Sequence, residues 1–204
     1  MRQVRRVLST YPVTIGFLGF NTVILFCQLA AAQVSTSLFA FLFVGNYKIT
    51  PGLLLSPFAH ASILTHFLAN MFLFALFGWL LEIEFKRRTY LLFILSTAYI
   101  PNIVQILRDG LVTGSAGTMG FSGVVYAVIP LSLFVAGQDW RAGTLSFNQL
   151  PFLAGAAVLT LLIPFTIADV AMLPSTGLPS AKYTHGVGFA MGLGYGVLRV
   201  YRMS

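Results

Sequence analysis

Residues 61–84 read ASILTHFLANMFLFALFGWLLEIE. They close an uncharged run that extends from residue 49 to residue 81. A membrane-spanning helix needs about 20 predominantly apolar residues, and this stretch supplies them. It also carries two residues that lipid penalises, His66 and Asn70. Their spacing of four puts both on one helical face. A polar side chain in hydrocarbon costs several kcal/mol unless paired, so it is a functional candidate by default. A hydrogen-bonded pair joining two packed helices has the same spacing. These residues alone leave both readings open.

Outward from this stretch the pattern repeats. Further uncharged runs cover 7–47, 89–107, 110–138, 142–168 and 183–198. They predict six helices at about 13–33, 61–84, 89–107, 118–137, 150–170 and 182–201, forming one all-α membrane domain over residues 1–204. Six spans use roughly 120 residues and leave short connections. Composition agrees: 57% of the 204 residues are hydrophobic and only 8% are charged, against about 25% charged in soluble domains. So few charges cannot cover a water-facing surface, which excludes a soluble enzyme, a disordered chain and a coiled coil. The stretch 34–60 is apolar but broken by Gly45, Asn46, Pro51, Gly52 and Pro57. Its run Leu38–Val44 is too short to span, so it reads as a loop that dips into the membrane interface or lies on it.

The net charge of +7 raises the question of nucleic acid. The basic residues flank apolar runs, however, and read as the positive edges of membrane helices rather than a nucleic-acid surface. With both ends cytoplasmic, the inner segments hold Arg2, Arg5, Arg6, Lys86, Arg87, Arg88, Arg141, Arg199 and Arg202, and the outer ones only Lys48, Arg108 and Lys182. That asymmetry favours an even number of spans. A cleaved signal peptide over the first apolar run, ending at Ala30-Ala31-Ala32, would destroy it. The single cysteine, Cys27, permits no intramolecular disulfide and gives no metal or redox motif.

Two further segments place chemistry among apolar residues. The fourth predicted helix begins in Gly114-Ser115-Ala116-Gly117-Thr118-Met119-Gly120-Phe121-Ser122-Gly123. A serine at a helix start lies beside unpaired backbone N–H groups and the positive end of the helix dipole, suitable ground for an oxyanion. Ser122 as an N-cap or small packing residue fits as well, and Ser115 is a competing serine. The sixth predicted helix begins Tyr183-Thr184-His185-Gly186-Val187-Gly188 and repeats glycine at 188, 192 and 196. That bare face admits a neighbouring helix closely and would let His185 reach it. In the topology above, helices two, four and six start from the outer side. At about 1.5 Å rise per residue, His66, Asn70, Ser122 and His185 then share one depth. A serine, a histidine base and an Asn/His pair of donors form a complete acyl-transfer set.

These residues make the chain resemble the rhomboid family of intramembrane serine proteases. Gly120-Phe121-Ser122-Gly123 is similar to the family's nucleophile motif, His185 with Gly188 and Gly192 to its base motif, and His66-x-x-x-Asn70-Met71 to its second-helix motif. Gly78-Trp79-Leu80-Leu81-Glu82 is similar to its Gly-x-x-x-Glu, and Tyr126 to the tyrosine that packs on the catalytic histidine. The resemblance runs from about residue 53 to 200. It implies a Ser122–His185 dyad, an oxyanion held by Asn70, His66 and the Ser122 N–H, and a structural Glu82 tying its helix to neighbouring loops. It assigns no chemistry to His60, and implies no metal and no cofactor. The substrates it implies are transmembrane segments of other membrane proteins, cleaved in the bilayer near the outer face. A prokaryotic plasma membrane is the default location. The chain departs from the pattern in lacking a Trp-Arg pair in the first outer loop, since its tryptophans are Trp79 and Trp140. Pro101 and Asn102 of the third helix map to no family role. Asp169, near the end of the fifth helix, would convert the dyad to a triad only against the family pattern. The loop with Pro174, Gly177 and Pro179 is a candidate lid. Two rival readings are a silent rhomboid-like client binder and a small transporter lined by His66, Asn70 and His185. The serine and histidine are both kept, against the first. No ionisable residue continues a polar path through the inner halves of the later helices, against the second.

Overall fold

The computed structural model describes residues 9–113, 117–144 and 182–203. They form seven α-helices: α1 Pro12–Val34, α2 Thr36–Phe43, α3 Gly52–Leu55, α4 Ala69–Glu82, α5 Arg87–Thr113, α6 Ser122–Ala142 and α7 Lys182–Met203. The predicted helix 150–170, Ser115, Asp169 and the candidate lid residues Pro174, Gly177 and Pro179 lie outside the described residues. Among those described, α1, Arg87–Leu111 of α5, and α6 are long and apolar enough to cross a membrane. Their outward faces carry apolar side chains such as Phe26 and Leu92, a surface that only lipid or another apolar partner would solvate favourably.

The start of α1 is fixed from outside the helix. Pro12 occupies the first turn, where its missing N–H costs nothing and its φ is already helical. The next two N–H groups, of Val13 and Thr14, donate to Glu82 Oε1 and Oε2, each at 2.7 Å. The Glu82 carboxylate is therefore buried against the positive end of α1. Its partner is a helix start and not a neighbouring loop.

The stretch 34–60 is more ordered than an interfacial loop. Ser35 caps α2 by accepting the Leu38 N–H at 3.0 Å, which starts an eight-residue helix in the apolar run. At about 12 Å it is too short to span. After α3 comes a 3-10 turn, Ser56–Phe58, and then a π-helical turn, Ile63–Leu68, that leads into α4. In that turn the Phe67 N–H donates to the Ser62 carbonyl five residues back, at 2.9 Å. Two helices shift at both ends from their expected positions. The helix expected at 118–137 begins at Ser122 and runs to Ala142, where Gly143 takes the left-handed C-terminal conformation (φ 67°). The helix expected at 89–107 extends over Arg87–Thr113.

The core lies around α6, whose Val124, Val125, Ala127, Val128 and Leu131 are buried. Phe121 just before it is fully buried and meets Phe74 edge-on at 4.9 Å, with Phe17 and Phe58 each 5.9 Å away. On the other side, α7 lies against α6 through its glycine face. A Cβ at Gly188 would overlap the Gly123 carbonyl, one at Gly192 the Ala127 carbonyl, and one at Gly196 the Phe134 ring. At the far end of the bundle, Arg199 of α7 pairs with Glu84 Oε2 at 2.8 Å and donates to Gln138 Oε1 of α6 at 3.1 Å. That contact pins α7 to the ends of α4 and α6.

Candidate active site

Ser122 is the first residue of α6, and its placement depends on the segment before it. Gly45 and Thr118 exchange both backbone hydrogen bonds, at 2.9 and 3.0 Å. The Gly120 N–H donates to the Ser56 carbonyl at 2.8 Å. Gly120 has φ 140°, a conformation open to glycine at little cost. A side chain there would also meet a neighbour: a Cβ would fall 2.7 Å from His66 Nε2. Phe121, locked in the aromatic cluster, then delivers Ser122 to the helix start, where it is buried.

His185 reaches Ser122 across the glycine face of α7. Its Nε2 is 3.0 Å from Ser122 Oγ, within hydrogen-bond range. Its ring lies flat on Tyr126, with centroids 4.1 Å apart and planes within 3°. That stack fixes the imidazole plane so that Nε2 faces the hydroxyl.

His66 sits in the π-helical turn on the other side of Gly120. Its Nδ1 accepts the Ala61 N–H at 3.1 Å, so in the neutral ring the proton belongs on Nε2. That nitrogen borders the space over Gly120, and Ser122 Oγ is 3.5 Å from the same Cβ point. The N–H donor of His66 and the hydroxyl of Ser122 thus border one small volume. Asn70 is four residues further along, buried at 6% exposure, and its Nδ2 has no hydrogen-bond partner among the described residues. Leaving a buried donor unpaired costs about 1–3 kcal/mol.

The structure therefore brings together Ser122, His185, Tyr126, His66 and Gly120, with Asn70 one turn beyond His66. Gly188 and Gly192 permit the approach of α7, and Glu82 lies at the opposite end of α4. Among the described residues no group of three or more His, Cys, Asp or Glu is placed to hold a metal ion. Three supports were not assigned a role from the sequence: Gly45 and Ser56, which hold the chain before Ser122, and Gln28, whose side-chain amide takes both backbone groups of His60 (2.9 and 3.1 Å). Their pairings span tens of residues and leave no local pattern. Asn102 and Gln105, on α5, also bond to the segments that carry Ser122 and His185.

The family model of the Rhomboid domain matches residues 47–202. No curated protein matches the chain.

Proposed function

The chain belongs to the rhomboid family, and from that premise we propose that it is an intramembrane serine endopeptidase working through a Ser122–His185 dyad. The observation that carries this reading is the 3.0 Å approach of His185 Nε2 to Ser122 Oγ, with Tyr126 stacked behind the imidazole. Among acyl-transfer machineries this is the nucleophile–base contact itself.

In this reading Ser122 Oγ attacks the scissile carbonyl while its proton passes to His185 Nε2. The carbonyl oxygen becomes an oxyanion and receives hydrogen bonds from His66 Nε2–H, Asn70 Nδ2 and the Ser122 backbone N–H. Collapse breaks the C–N bond, and His185 returns the proton to the leaving amine. Water then attacks the acyl-serine, with His185 again taking the proton, and Ser122 is regenerated. The buried Nδ2 of Asn70, which has no partner among the described residues, supports this assignment, because a hydrogen bond to the oxyanion would form as charge develops.

The substrates are transmembrane segments of other membrane proteins, cleaved near the outer face. A helical peptide bond is shielded by its own backbone, so segments with small or helix-breaking residues unwind into the site most readily. The full architecture we propose has six spans, cytoplasmic termini and a prokaryotic plasma-membrane location. The test is labelling of purified enzyme with a fluorophosphonate probe, alongside cleavage of a transmembrane peptide. Wild type should label and cleave, and Ser122→Ala and His185→Ala should do neither. A folded wild type inert in both assays would point to a client-binding member of the family. Retained cleavage in Ser122→Ala would move the nucleophile elsewhere, with Ser115 the first alternative.

A further inference from the structure

Asn102 and Gln105 stand three residues apart on α5, hence on neighbouring positions of one face, and both are buried. Asn102 Nδ2 donates to the Ala98 carbonyl at 2.8 Å and lies 3.5 Å from the Gly120 carbonyl. Its Oδ1 accepts the Thr118 hydroxyl at 3.1 Å. Gln105 Oε1 accepts the N–H groups of Tyr183 and Thr184 at 3.0 and 3.2 Å. Thr184 Oγ1 also lies 3.5 Å from the Pro101 carbonyl. One helix face therefore holds the residues two and four positions before Ser122, and the two residues directly before His185.

We propose that Asn102 and Gln105 are positioning residues that set the Ser122–His185 separation, with α5 as the rigid spacer between nucleophile and base. This rests on the protease reading above. The polarity of the Gln105 bonds gives the spacer its direction. Gln105 Nε2 donates to Asp109 Oδ2 at 2.6 Å, and an ionised carboxylate can only accept. The amide oxygen must therefore face the α7 N–H groups, which would otherwise be orphans of the helix start. A chain of bonds runs from Asp109 through Gln105 into the first turn of α7, one residue short of His185. Asn102 holds the segment before Ser122, its Oδ1 accepting the Thr118 hydroxyl and its Nδ2 lying 3.5 Å from the Gly120 carbonyl.

The experiment uses full-length enzyme in proteoliposomes, with kcat and KM for a transmembrane peptide normalised to folded protein. The rate of fluorophosphonate labelling gives a second readout that needs no peptide. Gln105→Leu should lower kcat and the labelling rate about 30-fold or more, as expected of a misplacement below 1 Å, with KM within about two-fold of wild type. Thr118→Val, which removes only the hydroxyl that Asn102 receives, should lower kcat about five-fold with KM again unchanged. Gln105→Glu alone sets two carboxylates together and should remain slow. Gln105→Glu combined with Asp109→Asn reverses the bond, since the new carboxylate still accepts from α7 while Asn donates to it. It should restore kcat to within about three-fold of wild type. The inference is overturned if Gln105→Leu keeps kcat within two-fold, if its loss falls on KM, or if the reversed pair regains stability without regaining kcat. That last comparison decides the matter even where Gln105→Leu does not fold. A wild type inert to both probe and peptide would instead sink the protease reading, and the inference with it.

Discussion

The two ends of α4 treat their buried polar residues in opposite ways. Glu82, at one end, is 3% exposed, and each carboxylate oxygen holds a backbone N–H of α1 at 2.7 Å. Asn70, about 18 Å away along the helix, is nearly as buried, yet its Nδ2 has no partner among the described residues. Both ring nitrogens of His60, near the same end, are in the same state. Among the described residues, the polar groups at one end of α4 are paired and those at the other are left without protein partners. The closed end holds helices together. The open end presents polar groups to which an acceptor oxygen could bond. It is at the open end that a serine, two histidines and a glycine with positive φ converge.

This contrast is sharpest at Ser122. Ser122→Ala removes one oxygen from the open end, and none of the packing that organises the closed one. We expect kcat to fall by at least about 10⁴-fold, with a thermal midpoint within about 2 °C of wild type because the partner it leaves, His185 Nε2, is only half-buried. Activity and melting are measured on the same preparation. A large fall in the midpoint would mean that the open end is also structural, and the division of labour would fail.

The next effect in size belongs to the donor itself. Asn70→Ala should lower kcat by about 10²–10³-fold, the equivalent of about 2.7–4 kcal/mol for one oxyanion donor. Peptide affinity should stay close to wild type, because the interaction forms only as negative charge develops. Stability should rise slightly or hold, since an unpaired buried group has been removed. A loss of ten-fold or less in kcat would return Asn70 to the packing role that its spacing from His66 also allowed.

At the closed end the pattern inverts. Glu82→Ala strands the N–H groups of Val13 and Thr14 and deletes a carboxylate from the positive end of α1. Hydrogen bonds to charged groups contribute about 1.5–3 kcal/mol each, so a loss of about 3 kcal/mol is expected. By soluble-protein scaling that is a fall of roughly 6–12 °C in the midpoint. Turnover of the enzyme that remains folded should stay within about two-fold of wild type. Equal stability in wild type and variant would show that the cap is replaced by water or lipid headgroups.

The parts of this architecture that were legible in the sequence are those that repeat locally. Uncharged runs announced α1, α4, α5, α6 and α7, and glycines at 188, 192 and 196 announced a bare face, because a helix buries its partners at fixed intervals. Ser122 and His185 were readable as a pair through their shared depth in the predicted topology and through motif resemblance, since nothing local says that residues 63 positions apart meet. The illegible parts are of two kinds. The π-helical turn at Ile63–Leu68 carries one residue more per turn than the apolar pattern assumes, and His66 and Asn70 alone do not disclose it. The other kind is long-range pairing: Glu82 with α1, Asn102 with Thr118, and Gln105 with α7. Each needs a buried polar residue to find a specific backbone or hydroxyl group in a distant element. Asn102 was conspicuous as an amide in an apolar helix, but its partner is a property of the fold.

The smallest expected effect concerns His60, which separates burial from chemistry within the open end. It lies in the link between the 3-10 turn and the π-helical turn. Gln28 holds both its backbone groups, and its ring meets His66 and Phe67 edge-on at 5.1 and 5.2 Å. Burial, with the nearby His66 adding to it, pushes the imidazole down to about 3 from its ordinary 6.5. The folded protein therefore binds fewer protons here than the unfolded chain throughout the interval between those values. The neutral ring contributes its full share of stability above pH 6.5, and that share is lost as pH falls toward 3. Between pH 7 and pH 5 the loss from this one group is about 2 kcal/mol. Thermal midpoints of wild type and His60→Leu across that range isolate it, because every other titrating group is common to both. Wild type should lose roughly 4–8 °C more than the variant, while labelling of Ser122 at pH 7 stays comparable in the two. Parallel midpoint curves would mean that the ring is solvated in the membrane-embedded protein. His60 would then belong with the groups that hold water or substrate rather than with the buried frame around them.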